Sequence, residues 1–306
     1  MRIVFWGTPH WALYPLEALK EREEIVGVVC QPDKPAGRGL SIQAPPTKQF
    51  ALSHSIPVLQ PDNLRDPSFV EKLKELSPEM CVIAGYGKYI PPEILSIPPY
   101  GFINLHPSLL PRWRGADPVR WTILEGDDRT GITIHYASER MDAGDIILQK
   151  EVPIFPDDTY GSLCERLFKE GAVLLLSAIS LIKEGKAPRI PQNEDKATYA
   201  PPLKKEDFRI DWGNSAERIE RLIRAGNPSP GAFTFFKGKM LKIWEGKAIE
   251  EEGETGRIIR IEKEGIVVAC GEGSLILTSL QVEGKRRISG AEFSRGYRVQ
   301  EGDRLG

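Results

Sequence analysis

The sequence contains few of the residues that bind metal ions or form disulfides. Its 306 residues include four cysteines and four histidines. The cysteines stand far apart without a C-x-x-C pair, and no histidines have the spacing of a metal site. This pattern argues against a zinc site and against a disulfide framework, and it is typical of a reducing compartment. We therefore predict a cytoplasmic protein without a metal.

A long hydrophobic segment is also missing. The longest apolar run, AVLLLSAISLI at 172–182, is interrupted by serines, and it is shorter than the ~18 residues that a membrane span needs. The first residues, MRIVFWG, enter a strand-like run directly, without the regions of a signal peptide. We therefore expect no signal segment and no membrane association.

Three common catalytic motifs are absent. A strand, a turn and a helix open the chain, but the turn has one glycine followed by Thr8 and Pro9. A dinucleotide fingerprint would need G-x-G-x-x-G there, so hydride transfer from NAD is not expected. The sequence also has no G-x-x-x-x-G-K-[ST] phosphate loop and no G-x-S-x-G nucleophile elbow.

The first half of the chain alternates strand-like and helix-like segments. Apolar runs that suit strands buried on both faces of a parallel sheet lie at 2–7, 25–30, 80–85 and 101–106. Helical patterns lie at 9–22, 66–76 and 159–185. Thr8 stands at the N-cap position of the first helix, with Pro9 as its first residue. This alternation predicts an α/β layered domain.

The pattern changes after residue 185. Residues 186–204 are rich in proline and charge and lack periodicity, which is typical of a linker. One helix follows, with Ser215 as N-cap, and then short strands separated by glycine turns, which predict a small β-barrel or sandwich. This part is mildly basic, which permits a nucleic-acid partner without requiring one. We predict a domain at 1–185, a linker at 186–204 and a second domain at 205–306.

One strand ending carries unusual polar side chains. In INLHPSLLPRWRG, Asn104 and His106 are two residues apart, so they project to the same side of a strand. The later turn ERMDAGDII adds Asp142. Taken alone, the first two could be a structural pair and the turn a solvated Asp-rich loop. Together, an amide, an imidazole and a carboxylate suit the stabilisation of an oxyanion and proton transfer during acyl transfer to a neutral nucleophile.

The stretch NLHPSLLPRWRGADPV, followed later by DAGD, resembles the folate-dependent formyltransferases. The resemblance covers nearly the whole chain. It implies a Rossmann-like formyltransferase domain with a C-terminal small β-barrel (OB-like) domain, and 10-formyltetrahydrofolate as the formyl donor. It also implies catalytic roles for Asn104, His106 and Asp142. Folate contacts are expected from Ser108, Leu109, Leu110, Pro111, Gly85, Tyr86 and Gly87.

A long loop bears on which amine receives the formyl group. Residues 31–48, QPDKPAGRGLSIQAPPTK, exceed the usual 2–6 residues at such a position. The loop resembles the insertion by which some members of the family approach the acceptor end of initiator methionyl-tRNA. The resemblance therefore implies tRNA contacts from a basic rim of Lys34, Arg38, Arg112 and Arg114, and a role in translation initiation. The C-terminal part resembles the small barrel that assists tRNA binding.

Other interpretations remain open at this stage. Family members that act on an amino sugar or another small amine can carry a related C-terminal extension. A non-catalytic folate- or tRNA-binding protein with the same fold is a further alternative, although the presence of Asn104, His106 and Asp142 argues against it. Ser229 stands where relatives often carry tryptophan, which affects the expected packing of the barrel. We expect a monomer.

Overall fold

The computed structural model describes residues 1–36 and 41–306. The chain divides into two compact units that interleave along the sequence. The first unit comprises Met1–Pro118, Arg129–Pro153 and Cys164–Pro201. The second comprises Val119–Asp128, Ile154–Leu163 and Pro202–Gly306. The division into a domain at 1–185, a linker at 186–204 and a domain at 205–306 stays a prediction.

The described residues form helices and strands along the whole chain. The helices are α1 Leu13–Lys20, α2 Pro46–Ser53, α3 Pro67–Glu75, α4 Pro92–Leu95, α5 Pro118–Leu124, α6 Tyr160–Lys183, α7 Ala216–Ala225 and α8 Gly290–Gly296. Strands of the first unit are β1 Arg2–Trp6, β2 Glu24–Val29, β3 Lys34–Ala36, β4 Ser41–Gln43, β5 Val58–Leu59, β6 Met80–Ile83, β7 Phe102–His106, β8 Arg114–Gly115, β9 Arg129–Tyr136, β10 Ile146–Pro153 and β11 Tyr199–Ala200. Strands of the second unit are β12 Ala232–Phe236, β13 Lys239–Ile249, β14 Ile258–Ile261, β15 Ile266–Ala269, β16 Ser274–Val282 and β17 Ile288–Ser289. Short 3₁₀ turns lie at His10–Ala12, Glu194–Lys196 and Lys205–Phe208.

A seven-stranded sheet in the order β10-β9-β7-β6-β1-β2-β5 forms the centre of the first unit. The strands from β7 to β5 pair in parallel, while β9 and β10 add an antiparallel edge. Most residues of the parallel strands are apolar and buried, as is typical of strands covered on both faces of a sheet. On one face, the ring of Trp6 makes edge contacts with Phe69, Tyr86 and Phe102. The predicted Rossmann-like α/β fold is confirmed.

The start of the first helix differs from its prediction. A 3₁₀ turn over His10–Ala12 precedes α1, and Thr8 does not cap it. The Thr8 hydroxyl instead accepts a hydrogen bond from the Gln31 N–H at 3.2 Å, so it joins two loops that follow neighbouring parallel strands. The Thr8 hydroxyl thus accepts from a distant backbone N–H, that of Gln31, and not from an N–H in the first turn of the helix.

The second unit has an antiparallel sheet in the order β12-β13-β16-β15-β14, with β17 paired to β16. Helix α7 begins as predicted, with the Ser215 hydroxyl accepting from the Arg218 N–H at 3.3 Å. Ile219 and Ile223 of this helix are buried in the core of the unit, while Leu222 is only partly buried. The predicted antiparallel C-terminal domain is confirmed, and closure of its sheet into an OB-like barrel stays a prediction.

The segment predicted as a linker contains ordered structure that belongs to the first unit. Within residues 186–204, Glu194–Lys196 form a 3₁₀ turn and β11 pairs in parallel with β8. Backbone pairing in this separate two-stranded sheet needs no side-chain periodicity, so the composition of the segment gave no sign of it. In the part of the chain that the structure describes, no helix has the length and hydrophobicity required to cross a membrane.

Candidate active site

The three residues predicted to be catalytic lie together in the first unit. Asn104 and His106 stand at the carboxyl end of β7, and Asp142 lies in the turn between β9 and β10. The Asn104 amide nitrogen is 3.2 Å from Asp142 Oδ1, and His106 Nδ1 is 3.6 Å from Asp142 Oδ2. Ligands of open α/β sheets bind outside such strand ends. The geometry is therefore that of a compact polar site at the edge where a ligand would bind.

The protonated nitrogen of His106 follows from its hydrogen bond. Its Nε2 lies 2.9 Å from the carbonyl oxygen of Trp113, and a carbonyl only accepts, so Nε2 carries the hydrogen. In the neutral ring, the Nδ1 lone pair then faces the Asp142 carboxylate. The side chain of His106 is 4% exposed. Burial lowers the pKa of His106 below its ordinary value, although the Asp142 carboxylate opposes that shift.

Asp142 is held as a carboxylate in an unusual backbone conformation. Its φ of 49° lies in the left-handed region, which Asp adopts more often than most residues. Its Oδ2 accepts the Gly115 N–H at 2.9 Å. Burial acts to raise the pKa of Asp142, but His106, His135 and the Gly115 N–H outweigh it and hold that pKa well below the ordinary value.

His135 is a site residue that the sequence reasoning missed. It stands on β9 directly opposite Asn104 and is 1% exposed. Its Nδ1 lies 2.9 Å from the Tyr136 carbonyl and therefore carries a hydrogen, which leaves Nε2 to accept from the Asn104 amide at 3.2 Å. Both hydrogens of the Asn104 amide thus have partners, His135 and Asp142. Only the register of β9 against β7 places His135 here, and no local motif encodes that register.

The segment predicted to contact folate leaves the end of β7 as a turn. The Arg112 N–H bonds to the Leu109 carbonyl at 3.0 Å, so the backbone turns across Leu110 and Pro111. The Ser108 hydroxyl is turned inward and donates to the Arg112 carbonyl at 2.7 Å. Leu110 is buried, and its N–H bonds to Thr133. The folate contacts of Ser108–Pro111 stay a prediction.

The Gly85–Gly87 turn has one feature that the sequence did not predict. Gly85 and Gly87 have φ of 69° and 77°, as a tight turn requires. The side chain of Tyr86 is 1% exposed and packs against Trp6. Its ring is therefore part of the core, and the Tyr86 backbone carbonyl accepts from Gln31 Nε2 at 3.1 Å. The role of this turn in folate binding stays a prediction.

The predicted basic rim is not a single exposed surface. Lys34 is exposed on β3, and the Arg112 guanidinium lies over the Trp113 ring at 4.5 Å. Arg38 lies outside the described residues. The structure does not place Arg114 on an exposed rim, which corrects that prediction. Its side chain is 1% exposed, because its guanidinium is bound within the first unit. Its partners are the side-chain amide oxygen Oε1 of Gln192 and the Glu194 carboxylate.

Glu194 and the four cysteines are further ionisable groups of the described residues. Arg114 and Arg140 hold the pKa of Glu194 at about 2. Cys30, Cys81, Cys164 and Cys270 are all buried as free thiols. Within residues 1–36 and 41–306, no group of three His, Cys, Asp or Glu side chains is placed to hold a metal ion. Asn104, His106, His135 and Asp142 are the polar side chains that contact one another at this strand end.

Two family models match the chain along most of its length. The one described as "Formyl transferase" matches residues 1–179. The one described as "Formyl transferase, C-terminal domain" matches residues 202–298. The first match contains Asn104, His106 and Asp142.

Individual relatives agree with these matches. The methionyl-tRNA formyltransferase of Syntrophus aciditrophicus is 45% identical over 307 residues, which cover 99% of this chain and 98% of the relative. That of Pelotomaculum thermopropionicum is 46% identical over 310 residues, which cover 100% and 99%. The fold is similar to that of HypX from Aquifex aeolicus, solved in complex with tetrahydrofolic acid, with a TM-score of 0.67, 20% identity, and coverage of 100% of this chain and 50% of that one.

Proposed function

This chain belongs to the formyl transferase family, and we propose that it transfers the formyl group of 10-formyltetrahydrofolate to the α-amino group of initiator methionyl-tRNA. Relatives with that named activity support the acceptor, because they are 45% and 46% identical over nearly the whole chain. The observation that carries the proposal is the set of contacts joining Asn104, His106 and Asp142 at one strand end. It supplies a hydrogen-bond donor, a base and a carboxylate without a covalent nucleophile, as direct transfer requires.

Asn104 would stabilise the tetrahedral intermediate. Attack of the amine on the formyl carbon places a negative charge on the formyl oxygen, and an amide hydrogen directed at that oxygen lowers the barrier. Both hydrogens of the Asn104 amide already have acceptors, Asp142 Oδ1 and His135 Nε2. These two contacts hold the amide in place before substrate arrives. The formyl oxygen would then replace one of the two acceptors. Loss of such a donor typically costs about 3–4 kcal/mol of transition-state stabilisation.

His106 would move the proton. Its Nε2–H is held by the Trp113 carbonyl, so Nδ1 is the atom that can accept. The attacking α-amine has a pKa of about 7.7–8.0 and loses one proton as the new C–N bond forms. We assign that proton to His106 Nδ1, where the Asp142 carboxylate would stabilise the imidazolium. The proton would then pass to N10 of tetrahydrofolate as the bond from N10 to the formyl carbon breaks.

The proposed binding residues form two groups, one for the folate and one for the tRNA. We assign the folate to Ser108–Pro111 and Gly85–Gly87, on either side of the strand end that carries Asn104. Lys34, Arg38 and Arg112 are assigned to the tRNA, whose phosphates attract basic side chains in a salt-dependent manner. We also infer that the protein acts as a monomer in the cytosol, where translation begins.

A transfer assay tests the proposal. The protein and labelled 10-formyltetrahydrofolate are incubated in three separate reactions. Each reaction contains one acceptor: methionyl-tRNA, uncharged tRNA or a nucleotide-linked amino sugar. Label should appear on methionyl-tRNA alone. Asn104→Ala and His106→Ala should each lower kcat by roughly 10²–10³-fold, with methionyl-tRNA binding retained. Transfer to the amino sugar would favour a small-amine formyltransferase, and wild-type kcat in His106→Ala would refute its assigned role.

A further inference from the structure

We propose that Gln192 is a positioning residue, which fixes the Asp142 turn and thereby the distance between the Asp142 carboxylate and His106. The proposal rests on the proposed function, because it concerns the same site. Gln192 lies within 186–204, the segment predicted as a linker. It would act on catalysis without touching substrate.

The first step is the contact of Gln192 with the turn. Its amide nitrogen donates to the backbone carbonyls of Asp142 and Gly144, both at 2.8 Å. Both hydrogens of one amide are thus used on two carbonyls of the same turn, which is the turn that contains the left-handed Asp142. A residue in that conformation persists where its surroundings hold it. Gln192 supplies two of the bonds that do so.

The second step is what holds Gln192. The Arg114 guanidinium donates through Nε and Nη2 to the side-chain amide oxygen Oε1 of Gln192 at 3.0 and 2.8 Å. The same guanidinium pairs with Glu194 at 3.0 Å. Since the Gln192 oxygen faces a donor and its nitrogen faces two carbonyls, the network allows one orientation of the amide. The side chain is fixed at both ends.

The third step connects this network to His106. Arg114 lies between Trp113 and Gly115 in the chain. The Trp113 carbonyl accepts from His106 Nε2, and the Gly115 N–H donates to Asp142 Oδ2. The backbone on either side of Arg114 therefore holds the histidine and the carboxylate, while its side chain orients Gln192 against the Asp142 turn. A change at Gln192 frees the turn and leaves the His106 contact to Trp113 intact.

Two neutral substitutions in the full-length protein test the proposal. Gln192→Met keeps the length of the side chain and removes both hydrogen-bonding ends, and Gln192→Leu serves as a second variant should the first not fold. Gln281→Met is the matched control, because the Gln281 amide also joins a donor, Trp244 Nε1, to a carbonyl, that of Lys285, within the second unit. The readouts are kcat, the KM for each substrate, and the NMR titration of the His106 imidazole.

The expected result separates positioning from general stability. In both Gln192 variants kcat should fall by roughly 10–10²-fold, as small displacements of catalytic groups do, and both KM values should stay within about twofold. The charged and titratable groups facing His106 are Asp142 and His135. As the Asp142 carboxylate moves away, the His106 titration should shift to lower pH than in the wild type, whereas Gln281→Met should leave kcat and titration unchanged.

Two results would overturn the proposal: unchanged kcat in both variants, or lowered kcat with an unchanged His106 titration. If the wild-type protein transfers no formyl group to methionyl-tRNA, the proposed function fails. The titration shift in the Gln192 variants would still support the positioning of Asp142, so the two failures are distinguishable.

Discussion

At the scale of single residues, the pKa values of His106 and Asp142 are both lowered, but by different causes. Burial lowers the pKa of His106, so the ring is neutral at pH 7. Burial acts to raise the pKa of Asp142, but His106, His135 and the Gly115 N–H lower it by more, so the carboxylate stays ionised. A neutral base beside an anion can take up a proton and have the resulting cation stabilised. These are the protonation states that direct formyl transfer needs.

The shifted pKa of His106 should make stability depend on pH. Its folded-state pKa lies below the unfolded value of about 6.5. Below pH 6.5 the unfolded chain therefore binds a proton that the native protein excludes, and the free energy of unfolding should fall as pH drops from 7 towards 5. Urea unfolding at pH 7, 6 and 5 measures this slope, and His106→Gln should flatten it.

An exposed histidine provides the control for that measurement. His54→Gln, at a surface position, is the matched substitution, and His106→Gln should flatten the slope more than His54→Gln does. Asp142 stays ionised throughout this window, so it adds nothing to the slope. An identical slope in wild type and His106→Gln would contradict the lowered pKa of His106.

The sequence predicted the side chains of the site better than their surroundings. Asn104 and His106 are two residues apart on one strand, so a local pattern places them together. Asp142 was added from its Asp-rich glycine turn, and the family resemblance then implied a catalytic role for it. His135 and Gln192 reach the site only through the register of β9 and the return of the chain after α6. Such long-range pairings leave no trace in local periodicity.

At the scale of elements, a pair of two-residue strands supports the site. β8 pairs with β11, and the Arg114 N–H bonds to the Thr198 carbonyl at 2.9 Å. The Trp113 N–H bonds to the Thr198 hydroxyl at 2.9 Å. Strands this short cannot be predicted from composition, and proline-rich surroundings hid them here. The longer elements, such as α6 and the parallel strands, followed their apolar patterns closely.

Gly115 is where this strand pair leaves no room for a side chain. Its φ is 123°, and a Cβ added there would lie 2.7 Å from the Ala200 carbonyl oxygen. Gly115→Ala should therefore lose roughly 1–3 kcal/mol of stability. It should also lower kcat, because the Gly115 N–H holds Asp142. Chemical unfolding and the transfer assay measure the two effects.

Gly101 offers a matched control, since its φ is 71° and no atom lies within 4 Å of an added Cβ. Gly101→Ala carries the conformational cost of a positive φ without the clash. It should lose less stability than Gly115→Ala and keep the wild-type kcat. Equal losses in the two variants would show that the close approach of β11 is unimportant.

At the scale of the whole molecule, the first unit extends beyond the predicted catalytic domain. It includes residues up to Pro201, and therefore Gln192, Glu194 and β11. Fragments 1–185 and 1–201 both lack the rest of the second unit, and they differ only in the segment that carries these residues. We expect 1–201 to have the higher melting temperature, because β8 keeps its partner strand and Arg114 keeps Gln192 and Glu194.

Thermal unfolding followed by circular dichroism compares the two fragments. In fragment 1–185 the buried guanidinium of Arg114 would have neither Gln192 nor Glu194 as a partner. An unpaired buried charge is strongly destabilising. Equal melting temperatures would show that 186–201 is a linker, as its composition suggested. The α/β class of the fold was predictable from alternating patterns, whereas the strand order of the sheet and the interleaving of the two units were not.

The pairing of β8 with β11 also has a consequence for how the protein is made. A ribosome completes β7, with Asn104 and His106, long before it reaches Gln192 and Tyr199–Ala200. The Asp142 turn is therefore synthesised well ahead of the amide that holds it and of the strand that fixes Gly115. A nascent chain that stops before residue 192 carries the reacting side chains but lacks their supports. The last pieces of this site emerge only when about two thirds of the chain has been translated.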